Sequence, residues 1–95
     1  MSIETRVANG PVADPLAFVA RDVTGLRRLE FDSIDGHRPA GEVAMSVASA
    51  MDLPTNVPWS LRDQKRARML EQETPLGGQI ETGSELVVIP RSHLG

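Results

Sequence analysis

Thr82-Gly83-Ser84-Glu85-Leu86-Val87-Val88-Ile89-Pro90-Arg91-Ser92-His93-Leu94-Gly95 is the stretch from which the fold of this 95-residue chain is read. Turn residues at 82–84 lead into four consecutive aliphatic residues, 86–89, three of them β-branched. An apolar run of that length between turn residues reads as a central strand whose two faces both need cover. Pro90 has no N–H for a ladder and biases Ile89 toward extended backbone, so pairing is expected to stop there while the chain stays stretched. The last strand is therefore expected to deliver an extended polar tail ending in a glycine.

Working back from that strand, residues 71–80 (EQETPLGGQI) form a connecting segment in which Leu76 and Ile80 are the expected inward anchors. Leu76-Gly77-Gly78 within it has the look of a cleavage end. Cutting there would delete the final strand and expose the core, so two glycines in a tight loop is the better reading. Met69-Leu70 reads as a short strand, and Trp59-Ser60-Leu61-Arg62, alternating apolar and polar, as a longer one. The charged loop between them, residues 63–68, holds Lys65, the single lysine.

Val43, Val47, Ala50 and Met51 recur at helical spacing, with Pro39 suited to a first helical turn. Ala44, Ser46, Ala48 and Ser49 would let this helix lie close to a sheet, and Pro54 disfavours helix at the residue before it. Residues 16–23 and 26–34 are rich in strand formers and separated by Thr24-Gly25, a hairpin signal. In the second run Leu29 and Phe31 share one face while Arg28, Glu30 and Asp32 share the other, as in a half-solvated antiparallel strand. Residues 1–15 carry Gly10, Pro11 and Pro15 without sustained periodicity and read as a flexible extension, a short strand at 3–7 being the alternative. A hairpin, a crossing helix and further strands with the C-terminal one in the middle describe an α+β β-grasp: a mixed sheet of four to five strands packed on one helix.

Ninety-five residues make one domain, too small for a two-domain enzyme with a deep cleft. The formal net charge of −3 favours neither nucleic acid nor a membrane surface as partner. Having no cysteine, the chain forms no disulfide, no thiolate metal site and no thioester on its own side chains. With no transmembrane-length run and no secretion signal pattern, the expected location is cytoplasmic. His37 and His93 have no companions at metal-ligand spacing, so no metal site is expected. Neither a Ser-His-Asp pattern, a phosphate loop nor a paired-acid motif is present, and catalysis by the chain itself is not expected.

Over residues 16–95 the pattern resembles the ubiquitin-like family. Phe18-Val19, Val23-Thr24-Gly25 and Leu29-Glu30-Phe31 are similar to the opening hairpin. Residues 43–54 are similar to the helix and its proline-marked exit. Trp59-Ser60-Leu61, Met69-Leu70, Thr74-Pro75-Leu76, Ile80 and residues 82–88 are similar to the later strands and loops. The resemblance is to bacterial-type members, and it implies partners: an activating enzyme using ATP, a conjugating enzyme, a JAB-type protease and a target protein. It implies activation at the Gly95 carboxylate, with Arg91 and Leu94 recognised in the tail and Lys65 as the acceptor if lysine-linked chains form; the free protein is expected to be a monomer. The tail departs from ubiquitin in having one terminal glycine and one arginine. Glycine suits such chemistry because a residue without Cβ lets the tail thread a narrow channel toward a nucleotide or thiol.

Two other functions are compatible with the same pattern. One is a noncovalent module like the ubiquitin-like domains of type VII secretion systems, which need no accessible glycine. The other is a sulfur carrier, a class that ends in two glycines. Trp59 is expected in or at the edge of the core, an exposed partner anchor being the alternative. Arg27, Arg28, Arg62, Arg66 and Arg68 are read as a solvated face rather than a basic docking patch.

Overall fold

The computed structural model describes residues 15–91. Their order is β1 (Pro15–Asp22), β2 (Arg28–Asp35), α1 (Ala40–Ala50), β3 (Trp59–Asp63), β4 (Arg68–Met69), a 3-10 turn (Leu76–Gly78) and β5 (Ser84–Pro90). The five strands form one sheet in the order β2-β1-β5-β3-β4. β5 lies between β1, which it meets parallel, and β3, which it meets antiparallel. That is the mixed-sheet β-grasp expected, with the aliphatic run in the middle. The expected flexible extension at residues 1–15, and the alternative strand at 3–7, lie outside the described residues apart from Pro15, which is already in β1.

Alternation sorts each strand onto two faces. Leu16, Phe18, Ala20, Leu61, Leu86 and Val88 point to the helix side and are buried. Val43, Ala44, Val47 and Ala48 come down from α1 to meet them, with Leu76 and Ile80 closing the far side as anchors. The alanines let the helix sit close to β3 and β5, since a methyl keeps the backbones near. Ala50, Ser46 and Ser49, expected against the sheet, are instead exposed except where Arg38 Nη2 reaches Ser46 at 3.1 Å. The buried stripe runs through 40, 43, 44, 47, 48 and 51, and a helical residue 100° off it faces water.

Pro39 stands just before α1 rather than inside its first turn; its ψ of 144° is extended and it forms an isolated bridge with Pro75. The helix ends before Pro54 has any effect. Asp52 takes φ +63°, its N–H reaching Ser49 O at 3.0 Å and that of Leu53 reaching Ala48 O at 2.9 Å. This pair of bonds is a Schellman ending, which satisfies carbonyls the helix would otherwise leave open. Leu53 then packs on the core.

Three strand boundaries differ from expectation for local reasons. The hairpin turn is wider than Thr24-Gly25, because Asp22 N–H closes onto Arg27 O at 3.1 Å and Gly25, at φ +78°, turns the chain inside that loop. The short strand is Arg68–Met69, and Leu70 follows it as a buried anchor whose N–H still reaches Leu61 O at 2.9 Å. At the other end of the chain, pairing runs past Pro90: Trp59 pairs with Pro90, and Arg91 N–H donates to Pro58 O at 2.8 Å. Pro90 is tolerated because its missing donor faces the β1 side, where β1 has already ended at the Asp22–Val88 pair.

Candidate functional site

The tail leaves the sheet from its central strand. Arg91 is the last described residue, half-buried, its amide fixed on Pro58. Leu94 and Gly95 lie outside the described residues. Trp59 supports this exit from beneath: it is buried and its Nε1–H donates to Pro54 O at 2.6 Å. It is therefore a core residue and not an exposed anchor.

Beside the exit stands the hairpin turn, whose Val23 and Leu26 are 62% and 84% exposed. Asp22 holds that turn in shape. Its carboxylate accepts from Thr24 Oγ1 at 2.9 Å and from Arg27 N–H at 3.3 Å, and Arg27 Nη1 lies 3.6 Å from it. Burial alone would raise the pKa of Asp22; the hydrogen bonds from Thr24, Arg27 and Gly25 and the charge of Arg27 outweigh it and hold the carboxyl below 3.8. Asp35 is likewise held below 3.8, first by the His37 backbone N–H at 2.9 Å, against a smaller opposing effect of burial.

On the face away from the helix, the registers align Arg28, Arg21, Val87, Arg62 and Met69 in one row across all five strands. A shallow groove there, between the hairpin turn and β3, is lined by Arg21, Val23, Arg62, Val87 and Ile89. Arg21 pairs with Glu85, Arg28 with Glu30, and Arg62 Nη1 donates to Gln64 Oε1 at 2.8 Å. Arg66 bridges Glu81 and the Gln79 carbonyl. Of the arginines read as a solvated face, Arg27, Arg28 and Arg66 each lie beside an acid. The groove was legible in principle, because alternate residues of an aliphatic run must face away from the helix; Arg21 and Val23 carried no local signal.

Lys65 lies at the opposite end of the sheet. It sits in the β3–β4 turn, exposed, with its N–H and that of Arg66 bound to the buried Asp63 carboxylate at 3.0 and 3.3 Å. Trp59 is at the tail end of β3 and Asp63 at the Lys65 end, so about 13 Å of strand separates the two sites. Leu76-Gly77-Gly78 is a structural loop: Leu76 is fully buried, and the Leu76 and Gly77 amides bind Arg38 O at 2.9 Å and Gly36 O at 2.8 Å. His37 Nδ1 lies 3.2 Å from Asp35 Oδ1, and among the described residues no three His, Cys, Asp or Glu side chains come together as a metal site. No described helix is long and apolar enough to cross a membrane.

No protein-family profile matches the chain, and no curated protein matches its sequence. Solved structures do. Ubiquitin of Caldiarchaeum subterraneum superposes with a TM-score of 0.64 at 20% identity, covering 86% of this chain and all of that one. A de novo design based on ubiquitin gives 0.64 at 24% identity, covering 82% and 90%. The ubiquitin-like domain of an Arabidopsis thaliana protein gives 0.65 at 12% identity, covering 100% and 97%. The fold is that of ubiquitin, an α+β β-grasp.

Proposed function

We propose that the chain is a ubiquitin-like protein modifier activated at the Gly95 carboxylate. The observation that carries this reading is the course of β5: a central strand paired to β1 and β3 whose last fixed amide is Arg91, with a short polar segment beyond it ending in Leu94-Gly95. A central strand makes a rigid base for a tail that begins at its end. The carboxylate attacks the α-phosphate of ATP on an activating enzyme, forming an acyl adenylate as pyrophosphate leaves. A partner thiolate then displaces AMP to form a thioester, and an amine or hydroxyl of the target displaces the thiol. Every group that moves protons or binds ATP belongs to the partners; this chain supplies the acyl group, with Arg91 and Leu94 gripped in the channel. A JAB-type protease would expose or release the same end.

Geometry also bears on chain formation. The tail leaves at one end of β3 and Lys65 sits at the other, so a Lys65 linkage between copies would join opposite ends of their sheets.

A noncovalent interaction module is the second reading, favoured by the groove of Val23, Val87 and Ile89, which a partner can occupy without the tail. The two separate on one experiment. The protein is incubated with ATP and the proteins encoded beside it, and intact masses are compared for wild type and a variant lacking Gly95. Tail-dependent adducts released by thiol or hydroxylamine support the modifier; complexes formed equally by both, without a mass change, leave the module.

A further inference from the structure

We propose that two copies of this chain pair through the free edge of β2, antiparallel and in a single register. Among the described residues the sheet has two edges, β2 and β4. β4 is two residues long and β2 is eight, so only β2 presents a ladder worth extending.

The outward-facing groups of β2 follow from one bond and the alternation of antiparallel pairs. Asp22 N–H donates to Arg27 O, so the ladder to β1 uses Arg27, Leu29 and Phe31. The backbone groups of Arg28, Glu30 and Asp32 therefore point out of the sheet. On the far side of β1 the same alternation shows in Ala17, whose N–H and C=O are taken by Thr82 Oγ1 and Gly83 N–H. Ser33, at φ +58°, bends the strand where the register shifts and ends the regular edge.

A twofold pairing must set outward residues against outward residues, and the charges of segment 28–32 separate the ways of doing so. Centred on Arg28 or Asp32, the pairing opposes that residue to its own copy; centred on Glu30 it sets Arg28 against Asp32 twice but still opposes the two Glu30 carboxylates at the axis. Centred on Phe31, it opposes Glu30 to Asp32, twice. Centred on Leu29, it sets Arg28 against Glu30 of the second copy, twice, with no like charges opposed. Of the registers that set outward residues of 28–32 against one another, the Leu29-centred one alone gains opposite-charge pairs without opposing like charges. Arg28 and Glu30 form only a loose in-strand pair at 3.6 Å, with side chains 55% and 75% exposed, and can exchange it for the cross-strand one. The same register brings the two Leu29 side chains, each 36% exposed, together on the helix side as a close, non-hydrogen-bonded pair.

The assembly stops at two, since pairing consumes each copy's long edge and leaves only β4 outermost. β5 runs antiparallel to β2 within each copy, so the two central strands of the resulting ten-stranded sheet point in opposite directions. Both Arg91 exits stay uncovered, one at each end. On this proposal the free protein is a monomer at low concentration and forms the dimer as concentration rises, whatever the tail does.

Sedimentation equilibrium of the full chain across a wide concentration range, with single and mixed charge reversals, tests this. Wild type is expected to show a monomer–dimer equilibrium, and Arg28→Glu or Glu30→Arg alone to weaken it by about tenfold or more, since each places two like pairs across the axis. Mixed one to one, the two variants restore the dimer, because the acidic edge of Arg28→Glu then faces the basic edge of Glu30→Arg. Amide exchange at Arg28 and Glu30 should slow as concentration rises. A wild type that stays monomeric throughout overturns the proposal. So does a dimer indifferent to both reversals, or protection of these amides that appears only when another protein is added.

Discussion

Gly77 and Gly78 stand side by side in the sequence and differ in what surrounds them. A Cβ on Gly77 would lie 3.2 Å from the Gly36 carbonyl oxygen, a backbone atom with little room to give, whereas one on Gly78 meets nothing within 4 Å. Gly77→Ala is expected to destabilise the fold by about 1–2 kcal/mol and Gly78→Ala by less than about 0.5 kcal/mol, as read by urea denaturation. Equal effects would mean that the Leu-Gly-Gly loop is not packed as described. Asp22 offers a second test. Its pKa is held below 3.8 in the folded state, so its contribution to stability is present above that value and lost as pH falls through the lower, folded pKa. Asp22→Asn is expected to lower stability at neutral pH and to flatten the fall in stability below pH ~4; an unchanged acid profile would remove Asp22 as its source.

Among the elements, β5 joins the sheet's two halves and depends least on what lies beyond it. Leu86 is fully buried between β1 and β3, and Leu86→Ala is expected to cost about 3–5 kcal/mol. Deleting residues 91–95 removes one described backbone bond, Arg91 N–H to Pro58 O, so its expected cost is about 1 kcal/mol. Thermal unfolding of the two variants checks the contrast. A truncated protein that melts as early as Leu86→Ala would show that the tail is a structural element. The helix was legible through Val43, Val47 and Met51, and the central strand through its aliphatic run. Their ends were not, because they are decided by φ at Asp52 and by where β1 runs out beside Pro90. Neither is a property of the residue alone.

Over the whole molecule, the order of elements sufficed to read the architecture, since a hairpin, a crossing helix and a buried last strand leave few ways to cover every apolar face. Which side chains share a surface was less accessible. Arg28, Arg21, Val87, Arg62 and Met69 are scattered along the chain and become one row only through four strand registers. Lys65 and Arg91, both visible in the sequence, turn out to occupy opposite ends of the sheet, which no local pattern encodes. The most direct test of the modifier reading is the intact mass of the protein after incubation with ATP and the proteins encoded beside it, for wild type and the Gly95 deletion. A thiol-labile adduct on a partner cysteine, formed by wild type and absent from the deletion, is the expected result. Identical masses for both, with partner complexes intact, would contradict it.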